Sequence, residues 1–219
     1  MRRLTAALLL GATLSTPAAA FDISAMSPEE KEAFGTAVRD YLMENPEVLI
    51  ESINVLESRQ AQDAATTDLQ LVQQHQAELF EDEASWVGGN PEGDLTMVEF
   101  IDYRCGVCRQ FNQEVHDAVE EDGNIRLILK EFPILGEDSV RSSRFALAVL
   151  QEAGPEAYAK AHDALMTLRA PATPAALEEI AGDIGVDAAA VMARMDSDDV
   201  TAVLAANQAL GQAMAIQGT

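Results

Sequence analysis

Two cysteines and three histidines are all that 219 residues contain, and 14 lysines and arginines stand against 37 aspartates and glutamates. Each shortage closes off a class of protein. An iron–sulfur cluster takes four thiolates, so two cysteines fall short of one. A formal net charge of −23 argues against nucleic acid and anionic membrane surfaces, both of which select basic residues; its plainest role is solubility. Beyond the first twenty residues no run is long and apolar enough to span a bilayer, which takes about 20 apolar residues. Internal repeats and low-complexity tracts are likewise missing.

The N-terminus reads "MRRLTAALLLGATLSTPAAAF". Arg2 and Arg3 precede a short apolar run over residues 4–14, and Ala18-Ala19-Ala20 supplies an A-x-A cleavage site. This is the pattern of a secretory signal peptide, residues 1–20, cut after Ala20 rather than kept as an anchor. Lacking a cysteine at the cut, the chain does not read as a lipoprotein. The expectation is a periplasmic, mature chain of 199 residues with 12 basic residues left against 37 acidic ones. An oxidising compartment makes a disulfide the default and a free thiol pair something to explain.

Residues 21–80 form the first segment, helical from residue 27. Ser27-Pro28-Glu29-Glu30 is a capping box with proline at the first helical position. Phe34, Val38, Tyr41 and Leu42 repeat at helical spacing, Asn45-Pro46 breaks the helix, and Leu49, Ile53 and Leu56 make a second stripe. Over "ESRQAQDAATTD" the stripe fades, and a polar connector is expected. So thin a helical hairpin cannot bury its own apolar face, which predicts self-association into a homo-oligomer.

Residues 81–219 form the second segment. "EDEASWVGGN" reads as a boundary loop with Trp86 packing at a domain edge. "LTMVEFIDY" and "IRLILKEFPI" read as buried strands flanking a helix that starts at the cysteines. Strand, helix and strand with so short a crossover imply a parallel pair in an α/β sheet. Residues 139–216 are Ala-rich and divide into four or five helices at Gly154-Pro155, Thr173-Pro174 and Gly185. Met192, Met195 and Met214 read as core fillers rather than copper ligands.

Both cysteines lie in "DYRCGVCRQF", as Cys105 and Cys108. Zinc wants four ligands, and no metal site is expected: His116 lies about 12 Å further along the same helix, and His75 and His162 show no ligand spacing. Arg109 stands where haem attachment needs histidine, and a bridge closing so small a loop would staple little. The redox reading explains position as well as spacing. Cys105 sits at a helix start, where free N–H groups, the helix dipole, Arg104 and Arg109 all favour a thiolate. Cys108, one turn on, can resolve a mixed disulfide at Cys105. Glu99, a carboxylate in an apolar strand, is expected to relay protons beneath the pair, with Lys130 of the neighbouring strand offsetting its charge. Two other readings stay open: a copper-binding protein using both thiolates, and an assembly module with incidental cysteines.

"VEFIDYRCGVC" followed by "LILKEFPILGEDSVRSSRFALAV" resembles the DsbA family of thioredoxin-fold proteins, especially its Com1- and ScsC-like branch. The resemblance spans residues 85–219. It implies an α/β thioredoxin fold with a helical insertion, preceded by an N-terminal helical segment that weakly resembles the trimerising segment of ScsC-like members. Glu99 and Lys130 fall where that family keeps its buried acid and partner. The implied activity is thiol–disulfide exchange with exported cysteine-containing proteins, without a cofactor, recharged by a membrane redox partner of the DsbB or DsbD type. In that family a cis-proline, a hairpin and a closing helix follow the position of Thr219. Thr219 is thus expected at the substrate-binding position, and the last strands and helix are expected to be missing, with the chain incomplete at its C-terminus.

Overall fold

The computed structural model describes residues 26–219, so the signal-peptide reading lies outside the described residues. Two compact units emerge, one ending at Ala61 and one running from Gln62 to Thr219.

In the first unit, α1 (Pro28–Glu44) opens with the capping box the sequence suggests. Ser27 Oγ accepts from the Glu30 N–H, and the Glu30 carboxylate accepts from the Ser27 N–H at 2.8 Å. Helix α2 (Glu47–Gln74) follows Pro46 and runs unbroken to residue 74, its last 13 residues falling in the second unit. Residues 57–68, "ESRQAQDAATTD", lose the apolar stripe but stay helical, keeping helix-forming Ala, Gln, Arg and Glu. Neither helix buries a single residue. Phe34, Tyr41, Leu49, Ile53 and Leu56 stand 45–57% exposed.

In the second unit, α3 (Gln76–Phe80) precedes β1 (Trp86–Gly89), and β2 (Leu95–Ile101), α4 (Gly106–Asp122) and β3 (Ile125–Glu131) follow. The sheet order is β1-β3-β2, with β3 parallel to β2, as the short crossover requires, and antiparallel to β1. β1 is missed by the sequence reading, which took its four residues for loop. Trp86 does pack as expected: its indole stacks on Tyr158 at 5.6 Å and donates to the Pro155 carbonyl. Gly123, at φ +68°, closes α4 in a left-handed turn that few other residues tolerate. Five helices complete the unit: α5 (Glu137–Ala153), α6 (Pro155–Thr167), α7 (Pro174–Ile184), α8 (Ala188–Arg194) and α9 (Asp198–Ala213). Phe145, Leu165, Leu177 and Val191 join Ile101, Leu127 and Leu129 in one core. Met195 is in that core and Met192 packs against it, as expected of fillers.

Helix α9 lies against β3, where Gly211 meets the Phe132 ring; a Cβ built at Gly211 would fall 2.5 Å from that ring. Gly182, in α7, has nothing within 4 Å of such a Cβ. The same substitution should therefore act in opposite directions. Gly211→Ala is expected to lower unfolding free energy by about 1–3 kcal/mol through overpacking. Gly182→Ala should raise it by about 0.5–1 kcal/mol by removing helix-interior glycine. Urea melts of the two variants beside wild type check both signs.

Candidate active site

The chain leaves β2 at Ile101 and is helical again by Gly106, so four residues must turn a buried strand into a helix. Asp102 makes that turn possible. Its fully buried carboxylate accepts from the Arg104 N–H through Oδ1 at 2.8 Å, and from the Ile134 and Leu135 N–H groups through Oδ2 at 2.8 and 3.0 Å. The Asp102 carbonyl accepts from the Cys105 N–H at 3.0 Å. The active-site turn and the loop after β3 are thereby fastened to one side chain.

Cys105 takes the N-cap position of α4 with extended backbone, and no side chain caps the helix there. Both thiols are free and nearly buried, 8% exposed at Cys105 and 5% at Cys108. Their environments push them apart. Burial works to raise the Cys105 thiol, yet hydrogen bonds from the Cys108 N–H, the Thr219 side chain, the Cys108 thiol and the Val107 N–H leave it below its ordinary value. Cys108 goes the other way, raised chiefly by burial and further by Cys105. The Cys105 thiol donates to the Thr219 carbonyl at 3.4 Å, which puts Thr219 beside the pair.

Arg104 and Arg109 turn from the sulfurs to the end of α6. Arg109 donates to the carbonyls of Met166 and Leu168, and Arg104 to those of Leu168 and Ala170. These are carbonyls that helix α6 and its exit leave unpaired. Hydrogen bonds from backbone N–H groups and from the Thr219 and Cys108 side chains, not the two arginines, account for the lowered Cys105 thiol.

Glu99 and Lys130 are not brought together. Register pairs Glu99 with Leu129 and Phe100 with Lys130, so the two side chains leave opposite faces of the sheet. Glu99 shares its face with Met97 and Ile101; burial raises its pKa, while His116 of α4 pulls the other way. Lys130, 1% exposed, bonds instead to Asp82 at 2.8 Å and Ser85 at 3.2 Å. Burial opposes the charge on Asp82, but Lys130, Ser85 and the Ala84 N–H prevail and hold its pKa low.

On the Glu99 face the sequence reading misses a second acid. Glu131, opposite Ile101 and 1% exposed, accepts at Oε1 from the hydroxyls of Tyr103 at 2.8 Å and Tyr158 at 2.6 Å. Its Oε2 is buried without a hydrogen-bond partner. Tyr103 also meets His162 Nδ1 at 3.3 Å, and His162 Nε2 meets Asn112 Oδ1 at 2.7 Å. Burial drives the His162 pKa down to about 3, so that ring is neutral. Alternation along "LILKEF" was the available signal: Glu131 falls in phase with Leu127 and Leu129, the core face. The fold also gathers His116, His162 and Asp163, whose ligand atoms lie within 4.8 Å of one another. That grouping of metal-capable atoms was invisible in the residue spacing.

Burial pushes Glu131 up to about 7 from an ordinary 4.5, outweighing the hydroxyls of Ser143, Tyr158 and Tyr103 around it. A folded value above the unfolded one means that the fold favours the protonated acid. The associated stability is full below about pH 4.5 and is lost as pH rises to about 7, a loss of roughly 3 kcal/mol. Glu131→Gln, neutral throughout, should remove most of that decline; urea midpoints for both proteins across this window read it directly.

The family described as Thioredoxin matches residues 81–219, and the N-terminal domain of the copper resistance protein ScsC matches residues 30–63. Among solved structures, a thioredoxin-like oxidoreductase from Silicibacter pomeroyi is 41% identical, over 65% of this chain and 81% of its own, with a TM-score of 0.60. ScsC of Proteus mirabilis, in a transitional conformation, is 28% identical over 90% of this chain and 86% of its own, with a TM-score of 0.62. BcfH of Salmonella enterica Typhimurium is 30% identical over 87% of this chain and 81% of its own, with a TM-score of 0.69. No curated protein matches the sequence. The sheet with its CxxC-bearing helix start and the helical segment ahead of it thus have the same relatives, and the chain belongs to the thioredoxin family as a ScsC- and DsbA-like member.

Proposed function

We propose that this protein is a periplasmic thiol–disulfide oxidoreductase that exchanges disulfides with exported proteins. The observation that carries the reading is the asymmetry of the pair: one thiol at a helix start lowered by the hydrogen bonds it receives, the other raised by burial one turn below. A nucleophile and a resolving thiol need that division. Cys105 exchanges with the substrate, a mixed disulfide forms, and Cys108 displaces it. Glu99, half-buried on the face beneath α4, is the group proposed to exchange protons with Cys108, without help from Lys130. Thr219 is proposed to lie along the bound substrate. A membrane partner of the DsbB or DsbD type would reset the pair, and one similar structure, a periplasmic thioredoxin-like protein from Salmonella enterica, favours the same compartment.

Refolding of scrambled ribonuclease tests this. Cys105→Ser should abolish activity, and Cys108→Ser should accumulate mixed disulfides with a cysteine-bearing peptide. The pH midpoint for alkylation of Cys105 should lie below the free-cysteine value of about 8.5, and that of Cys108 in Cys105→Ser above it. Unchanged refolding by Cys105→Ser would overturn the proposal. A second reading, Cu(I) held by the two thiolates, draws on the ScsC match. Tight copper binding by a protein inactive in refolding would favour it instead.

The N-terminal helices are proposed to associate with copies of themselves. Among the described residues neither helix buries a side chain, and the ScsC match covers residues 30–63. Light scattering should give a multiple of the chain mass, and the double variant Phe34→Asp, Ile53→Asp should reduce it to a single chain.

A further inference from the structure

A pocket of about 460 Å³ opens beside Gly106, the residue after Cys105, and three arginines line it: Arg104, Arg109 and Arg169. In a chain with only 14 basic residues this is a local reversal of charge. The three guanidiniums are close enough to act on one another: burial, then the like charges of Arg104 and Arg169, lower the Arg109 pKa. Compensation is slight. Among the described residues Arg104 pairs with Asp138 at 3.1 Å, whereas Arg109 and Arg169 pair with no acid. Arg104 and Arg109 are held in place by neutral carbonyls, which fix their direction without cancelling their charge. A guanidinium has five N–H donors, so Arg109 keeps some free, and exposed Arg169 keeps more. Gathered like charges of this kind raise each other's energy unless an anion joins them.

We infer that this pocket selects small carboxylate-bearing thiols and disulfides of the glutathione type as exchange partners of Cys105. The inference rests on the exchange chemistry proposed above. The Cys105 thiolate attacks one sulfur of the small disulfide. That S–S bond breaks, a new one joins Cys105 to half of the molecule, and the other half leaves as a thiolate that water protonates. Cys108 then gives up its proton and attacks the Cys105 sulfur, releasing the second half. The protein pair is oxidised by two electrons and the small disulfide is reduced to two thiols. The arginines hold the carboxylates through both steps, next to the sulfur they must reach.

The test sets local charge against global charge. The reduced full chain is mixed with glutathione disulfide, hydroxyethyl disulfide or cystamine, which are dianionic, neutral and dicationic. Each rate is divided by that disulfide's rate with a small model thiol, to remove leaving-group differences. The overall negative charge alone dictates that cystamine reacts fastest. The arginine pocket dictates the reverse order, by about tenfold between the extremes at low ionic strength, collapsing when salt shortens the screening length to about 3 Å. Arg169→Glu, on an exposed side chain, should invert the order while leaving the thermal melt and the hydroxyethyl disulfide rate unchanged. A cystamine preference in wild type, or an order that Arg169→Glu leaves alone, overturns the inference while leaving exchange intact. Failure of all three disulfides to oxidise the pair overturns the exchange reading, and this one with it.

Discussion

The buried carboxylate of Asp102 is the constraint on which the rest of the site depends. One side chain satisfies three backbone N–H groups, one in the active-site turn and two in the loop after β3. Hydrogen bonds to a charged group are worth about 1.5–3 kcal/mol each, and a buried donor stranded without one costs about as much. The turn can therefore be short and still dry. Because it is short, Cys105 arrives at the first free N–H groups of α4, and Tyr103 is directed inward to Glu131. Thiol reactivity and the buried network behind it descend from one acceptor.

Adjacent residues of β3 show how a strand carries ionisable groups into a core. Lys130 and Glu131 leave opposite faces, and each burial is resolved differently. Lys130 meets an acid and a hydroxyl, and they hold that acid's pKa low. Glu131 meets two hydroxyls and no cation, so its protonated form prevails to near neutrality. Removing charge from water is repaid by a full counter-charge and only partly by neutral dipoles. The Glu99 face thus holds two acids with raised pKa values, Glu99 and Glu131, and one histidine kept neutral.

Much of this was legible in local sequence. Apolar runs mark β2 and β3, Gly123 marks the end of α4, and the capping box marks α1. Cys105 falls at a helix start because a strand pattern gives way to a helical one there. Failures occurred where distance or parity decides. Pairing Glu99 with Lys130 needed the register, and a shift of one residue exchanges the faces of a strand. The network of Asn112, Glu131, Tyr158 and His162 draws on α4, β3 and α6, which only the fold brings together. β1 escaped notice because four residues with two glycines carry no alternation. Arginines near a thiol suggested electrostatic activation, but helix α6 offers unpaired carbonyls nearby and claims their donors first.

That last result separates two jobs that charge performs around a reactive sulfur. Thiolate stability comes from donors within hydrogen-bond reach, the α4 N–H groups together with the Thr219 and Cys108 side chains. A cation spent on a carbonyl adds little to that bond, but its field extends further than its hydrogen bonds. Over about 8–10 Å, the screening length at physiological salt, Arg104, Arg109 and Arg169 set the sign of the potential that an approaching molecule meets, in a protein whose other surfaces are mostly acidic. In the exchange proposed here, hydrogen bonds at the helix start therefore favour the Cys105 thiolate, and the arginines select what meets it.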